Sequence, residues 1–195
     1  MVWVLFFACM LACIVYVYLP GVFILRACYC SRFISLVSAP LVSIAGYGII
    51  ALILGAIGVF VNWVILFFSL GILAFIAFLY ATRHKKKRTV VFLHNETKRT
   101  WFHVLLYVGF GLAITGWVYI ITLDGPDSFI PGNDYTTHLN TIQSFIDSGN
   151  WSTLAGSYYP RGWAELATMV AQSFSVSAPF ASNVVNSVIV SVVYP

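Results

Sequence analysis

The chain alternates long apolar runs with short polar segments. Residues 1–25 carry no acidic or basic side chain, and a second uncharged run occupies 33–82. A third run, 100–123, is interrupted by His103 alone. Because a helix needs about 20 apolar residues to cross a bilayer, the second run holds two passages. The pattern therefore predicts four membrane-spanning helices, at 1–25, about 38–60, 63–82 and 101–122.

The pattern changes after the fourth predicted span. Pro131-Gly132 interrupts the chain, and either Asn133 or Asp134 is suited to cap a new helix. Apolar residues then recur with helical spacing until Gly149 ends the pattern. They are Leu139, Ile142, Phe145 and Ile146. We expect a short amphipathic helix over 134–148, too short to cross the membrane and lying at its outer interface.

A second short segment and a last apolar run follow. Trp163, Leu166, Met169 and Val170 have helical spacing and predict another short interfacial helix over 161–174. The run 181–195 then begins a further span, but it stops short of the roughly 17 residues that a passage requires. We therefore expect the chain to be the N-terminal part of a longer protein.

The composition fits a membrane protein. Charged residues make up 8% of the chain and hydrophobic ones 61%, whereas about a quarter of the residues in a soluble domain are charged. The first segment has no basic region after Met1 and no Ala-x-Ala cleavage site, so we interpret it as a span and not as a signal peptide. The predicted fold class is all-α, a polytopic transmembrane helical protein.

The distribution of basic residues predicts the orientation of the chain across the membrane. Nine of the ten Lys and Arg lie in the loops 26–32 and 83–100, which the positive-inside rule places in the cytoplasm. Five of the six acidic residues follow the fourth span, so the N-terminus and the loop 123–180 are expected outside, in a multi-pass protein of the cytoplasmic membrane. The basic cluster 83–88 is interpreted as a topology anchor that contacts membrane lipids and not as a nucleic-acid site.

The four cysteines suggest neither a disulfide framework nor a metal site. Cys9 and Cys13 lie one helical turn apart in the first span, where thiols usually fill space. Cys28 and Cys30 form a Cys-x-Cys pair without a neighbouring His or Cys that would complete a zinc site.

Asp134 and His138 are the most suggestive chemical pair. They are four residues apart, which places them on one face of the predicted helix. They are suited to act as a general base and its orienting partner, or to bind a divalent cation. In the alternative interpretation, Asp134 caps the helix and His138 is an ordinary polar residue of the interface.

Other polar residues of this region have two interpretations each. Asp124 and Asp127 flank Pro126 and either initiate a turn or help to hold a cation. Arg161 is the single basic residue after the fourth span, and its guanidinium is suited to bind a phosphate or a lipid headgroup. The predicted spans hold no acidic or basic residue, which counts against a transporter.

The order of several short motifs resembles a bacterial family of large membrane proteins, mostly of unassigned function, within the GT-C superfamily of glycosyltransferases. The resemblance covers nearly the whole chain. Its motifs are Leu19-Pro20-Gly21, Ala39-Pro40, Asp134-Tyr-Thr-Thr-His138-Leu139, Gly149-Asn150-Trp151 and Tyr159-Pro-Arg-Gly-Trp163.

This resemblance implies a domain organisation. Residues 1–82 would be an added three-span unit, 83–100 a basic cytoplasmic loop, and 101–195 the start of a GT-C-like core. The full-length protein would be a glycosyltransferase that uses a polyprenyl-phosphate-linked sugar donor and a cell-envelope glycan or lipid acceptor at the outer face of the membrane. Because later donor contacts would be missing, we expect the fragment alone to be inactive.

The resemblance also implies roles for individual residues. Asp134 would be the catalytic base, and His138 would orient it or contact the phosphate. Arg161 would stabilise the charge on the departing polyprenyl phosphate. Three aromatic rings would stack on the sugar or the prenyl chain, or would anchor the chain at the membrane interface, which is the commoner role of such residues. They are Trp151, Tyr159 and Trp163.

One departure from the resemblance concerns a metal. Where relatives often carry His after the Gly-Trp pair, this chain has Ala164, and Glu165 follows. If that His binds a metal or phosphate in the relatives, this chain either lacks the contact or uses Glu165 instead. A divalent cation, Mg²⁺ or Mn²⁺, would be held by Asp124, Asp127 and Glu165. The rival hypothesis is a non-enzymatic membrane scaffold or a component of a polysaccharide or lipid export system.

Overall fold

The computed structural model describes residues 2–84, 98–118, 125–128, 133–149, 151 and 161–193, with the backbone alone at 98–100, 133, 134 and 161. Within these residues the chain is helical and contains no strand. The helices are α1 (Val2–Ala27), α2 (Arg32–Ala56), α3 (Trp63–Arg83), α4 (Lys98–Gly116), α5 (Asn133–Ser148), α6 (Arg161–Phe174) and α7 (Ala178–Val188), and a π-helical segment (Ile189–Val193) continues α7.

Three of the described helices are long and apolar enough to cross a membrane, namely α1, α2 and α3. These three apolar helices identify a membrane-embedded protein. Two further apolar helices are shorter, Trp101–Gly116 and Ala178–Val193. The end of the fourth predicted span, 119–122, lies outside the described residues. The same is true of 85–88, the larger part of the basic cluster 83–88.

The boundaries of the two short helices were predicted well, whereas the start of α2 was not. The predicted 134–148 and 161–174 correspond to α5 and α6. Helix α2 begins at Arg32, several residues before the predicted start, because the Ser31 side chain accepts a hydrogen bond from the backbone N–H of Ile34 and caps the first turn. Pro40 consequently lies inside α2.

Helices α1 and α2 cross closely at two of the motifs quoted above. A Cβ atom at Gly21 would overlap the backbone carbonyl of Ala39, so glycine lets the two helices approach. The backbone N–H of Gly21 donates to Ser43 Oγ over 2.8 Å. The Leu-Pro-Gly and Ala-Pro motifs therefore meet, and they have a packing role.

Helix α6 is enclosed by other helices. Every residue from Ala164 to Ala171 is buried, and α1, α2, α3, α5 and α7 all pack against it. Its first turn lies beside the middle of α2, where a Cβ at Gly162 would overlap Ile44. At its other end, Gln172 Oε1 accepts from the backbone N–H of Trp63 over 3.0 Å. Helix α6 therefore forms part of the core, and its expected location at the membrane interface stays a prediction.

Helix α7 returns beside α1 and antiparallel to α6. The rings of Phe180 and Phe6 pack edge to face at 5.6 Å, and Tyr18 Oη donates to the carbonyl of Val192 over 2.9 Å. Ser177 caps the start of α7 by accepting from the N–H of Phe180. The hairpin formed by α6 and α7 thus brings their polar side chains towards α5.

Candidate functional site

Polar side chains from α5, α6 and α7 meet in one group, which we name the polar cluster. The hydroxyl of Tyr135 lies 3.1 Å from Ser182 Oγ and 3.4 Å from Asn183 Oδ1. The Asn183 amide nitrogen donates to the carbonyls of Pro126 and Ser128 and so holds the preceding loop against α7. The cluster consists of Tyr135, His138, Trp163, Ser182, Asn183 and Asn186.

Trp163 is at the centre of this cluster. Its ring meets the imidazole of His138 edge to face, with centroids 5.1 Å apart. Its indole N–H donates to Asn186 Oδ1 over 2.8 Å. Trp163, His138 and Asn186 are all partly exposed, so a ligand can reach them. The structure thus joins two predicted site residues, His138 and Trp163, which are far apart in the sequence.

The candidate base is near this group in the fold. Asp134 lies in the first turn of α5, one turn before His138, and Arg161 is the first residue of α6, two positions before Trp163. The side chains of Asp134 and Arg161 lie outside the described part of the chain, as do Asp124 and Tyr159 entirely. Their catalytic, phosphate-binding, metal-binding and stacking roles stay predictions.

Trp151 has a packing role in this structure. The residue is fully buried, and its ring stacks on Phe145 with centroids 5.7 Å apart and planes 12° from parallel. Gly149, two residues earlier, has a backbone φ of +59°, and a side chain there would overlap the ring of Phe60. The carbonyl of Gly149 accepts from the N–H of Val61. Gly149 therefore fixes the end of α5 against the α2–α3 connection, and Trp151 is buried beside it; the sugar contact of Trp151 stays a prediction.

The two described candidates for a metal site have different surroundings. Asp127 is exposed, and its Oδ1 accepts from Ser177 Oγ at 3.4 Å. Glu165 is 1% exposed within α6, and Gly48 of α2 faces it, since a Cβ there would lie 3.5 Å from Oε2. Among the described residues, no group of three or more His, Cys, Asp or Glu is arranged to hold a metal. The divalent cation therefore stays a prediction.

The position of Glu165 changes one argument drawn from the sequence. The predicted spans contain no acidic residue, and this counted against a transporter. However, α6 packs among α1, α2 and α3, so its buried carboxyl group lies between candidate spans. An ionisable residue in such a place is usually functional. Sequence spacing assigned Glu165 to an interfacial helix and so missed this environment.

Sequence reasoning also missed the contribution of α7 to the cluster. The run 181–195 was interpreted as the start of a span, yet it supplies Ser182, Asn183 and Asn186. A signal was present in the spacing, since polar residues recur three or four positions apart along an otherwise apolar helix. They are Ser182, Asn183, Asn186, Ser187 and Ser191.

The fold and the cluster define an all-helical membrane protein with a polar, partly exposed cluster formed by three short helices. A family model matches residues 14–195, and the chain belongs to this family, DUF6541, a family of unknown function. No curated protein matches the chain. No solved structure matches it either.

Proposed function

We propose that the full-length protein is a multi-pass membrane glycosyltransferase of the GT-C type. It transfers a sugar from a polyprenyl phosphate to a cell-envelope glycan or lipid at the outer face of the cytoplasmic membrane. The observation that carries the proposal is the edge contact between His138 and Trp163. This contact brings together His138 of the Asp-x3-His motif in α5 and Trp163, the last residue of the Tyr-Pro-Arg-Gly-Trp motif, in α6.

In this proposal Asp134 accepts the proton of the acceptor hydroxyl as its oxygen attacks the anomeric carbon. The bond from that carbon to the phosphate oxygen breaks, and polyprenyl phosphate leaves. His138 orients the carboxylate, and Arg161 stabilises the negative charge on the leaving phosphate. Because Arg161 and Trp163 are both in the first turn of α6, the phosphate and the sugar would bind next to each other.

The expected outcome for Asp134→Asn is loss of sugar transfer with unchanged folding and expression, because the amide cannot accept the proton. The measurement is the lipid-linked-sugar profile of a strain that lacks the protein and is complemented with each variant. Asp147→Asn is the matched control, since Asp147 is exposed on the same helix and accepts from Gln143 Nε2 over 2.9 Å. Normal transfer by Asp134→Asn would remove Asp134 from the mechanism.

The buried carboxyl group of Glu165 favours one second candidate, a component of a polysaccharide or lipid exporter. In this case the carboxyl group lines a pathway between the helices. The same complementation experiment separates the two proposals. An exporter predicts that Glu165→Gln blocks delivery of the glycan to the cell surface while the lipid-linked sugars accumulate, and that Asp134→Asn has no effect on them.

A further inference from the structure

The indole of Trp163 is held from two sides. His138 contacts its ring edge to face at 5.1 Å, and Asn186 accepts its N–H at 2.8 Å. Since χ1 and χ2 of the tryptophan are restrained by contacts on two other helices, the ring offers a fixed, partly exposed surface. A preformed aromatic surface of this kind loses little conformational entropy when a ligand binds.

The bond to Trp163 also fixes the orientation of the Asn186 amide. Its Oδ1 is the acceptor, so Nδ2 points away from the indole, where its two N–H groups donate to no residue that the structure describes. Asn183 differs, because its Nδ2 donates to both Pro126 and Ser128. Of the two asparagines of α7 in the polar cluster, Asn186 is therefore suited to bind a ligand, and Asn183 has a structural role.

The chemistry of the polar cluster fits a neutral ring with hydroxyl groups. An aromatic surface accepts the apolar C–H face of such a ring, and an amide N–H donates to a hydroxyl oxygen. The six residues of the cluster include no Asp, Glu, Lys or Arg, so they offer little attraction to a charged phosphate. A few polar groups placed around an apolar surface are typical of small-molecule sites.

We propose that Trp163, His138 and Asn186 form the subsite for the sugar ring of the donor, and that Asn186 determines sugar specificity by donating to a ring hydroxyl. The identity of the ligand as a lipid-linked sugar rests on the proposed function. The phosphate is bound elsewhere in the site. Trp163 therefore recognises the ligand and does not simply anchor the chain at the membrane interface.

The test is equilibrium binding to the full-length protein in lipid nanodiscs. The probes are polyprenyl phosphates that carry different hexoses and pentoses, the bare polyprenyl phosphate, and the free monosaccharides. Asn186→Asp keeps the acceptor for the Trp163 N–H and loses the amide donor. We expect it to weaken binding of the preferred sugar-bearing lipid about 3- to 10-fold more than binding of the bare phosphate, as loss of one hydrogen bond does, because the new carboxylate repels the neighbouring phosphate of both probes equally.

Two further variants serve as controls. Asn140→Asp makes the same chemical change on the exposed face of α5 and should bind every probe as the wild type does. Trp163→Phe keeps a ring but removes the N–H that orients Asn186, so it should also lose affinity for the sugar-bearing lipid. Thermal unfolding of each variant shows whether it is folded.

Three results would contradict the proposed sugar subsite. One is equal affinity of wild type and Asn186→Asp for the sugar-bearing lipids. Another is an equal loss for bare and sugar-bearing lipid, which would show that the Asn186 amide makes no hydrogen bond to the sugar. The third is a wild type that binds no sugar better than the bare phosphate, which would leave Trp163 as an interface anchor. If Asn186-dependent sugar binding is found without any transfer activity, the subsite stands and the glycosyltransferase proposal fails.

Discussion

Pro20 has no backbone N–H, and the residues around it compensate for this loss. In a regular helix the N–H of residue 20 would donate to the carbonyl of residue 16, but proline cannot. The buried hydroxyl of Tyr47 donates to the Tyr16 carbonyl instead, over 2.9 Å. The hydroxyl of Tyr16 pairs with Ser173 Oγ over 2.8 Å. This chain of contacts links α1 to α2 and to the core helix α6.

Tyr47→Phe tests this compensation. The carbonyl of Tyr16 would lose its donor in an apolar environment, so we expect the free energy of unfolding to fall by about 1–2 kcal/mol. Reversible unfolding in mixed micelles measures the change. Tyr80→Phe removes the same hydroxyl from an exposed position of α3 and should change stability by less than about 0.5 kcal/mol. Equal stability of Tyr47→Phe and wild type would show that the tyrosine does not support the helix at Pro20.

At the level of helices, the sequence was informative about where α5 and α6 begin and end, and misleading about how α6 is packed. Periodicity placed both helices well because apolar residues recur every three or four positions. The same pattern suggested a single apolar face for α6. However, its remaining positions are small residues such as Ala164, Ala167 and Ala171, and small residues permit close packing on every side. Single-sequence patterns do not distinguish an exposed alanine from a packed one.

Prediction of the candidate site from the sequence was limited in the same way. Asp134 and His138 were found together because they share one helix. The contact between His138, Trp163 and Asn186 depends on the α6–α7 hairpin, and no local spacing encodes it. The burial of Trp151 against Phe145 was not predicted, because the sequence pattern of an aromatic residue near the membrane boundary is the same whether it faces lipid, ligand or the core.

Enclosure of α6 leads to a prediction about packing. Ala167 is fully buried at the centre of the helix, so Ala167→Leu forces a larger side chain between closely packed helices. We expect the free energy of unfolding to fall by about 1–3 kcal/mol, which reversible unfolding in mixed micelles measures. Ala113→Leu introduces the same side chain on an exposed face of α4 and should be tolerated. A stable Ala167→Leu variant would indicate that the other helices do not enclose α6.

For the whole molecule, the proposed chemistry depends on the side of the membrane that α5 faces. Nine of ten basic residues lie in the loops 26–32 and 83–100, which favours a cytoplasmic location for both loops. The native cysteines allow a direct measurement. Cys28 is exposed in the first of these loops, whereas Cys9, Cys13 and Cys30 are buried. Ser144 is exposed on α5, which the predicted orientation places on the opposite side of the membrane from these loops.

We expect a membrane-impermeant maleimide added to intact cells to label Ser144→Cys, introduced together with Cys28→Ser, and to leave native Cys28 unlabelled. After permeabilisation Cys28 should be labelled too, which shows that its thiol is reactive. The buried cysteines should not react in either sample. If Cys28 reacts from outside while Ser144→Cys reacts only after permeabilisation, α5 and the polar cluster face the cytoplasm. Asp134 could then not meet a donor presented at the outer face, and the proposed reaction would have to be abandoned along with the orientation.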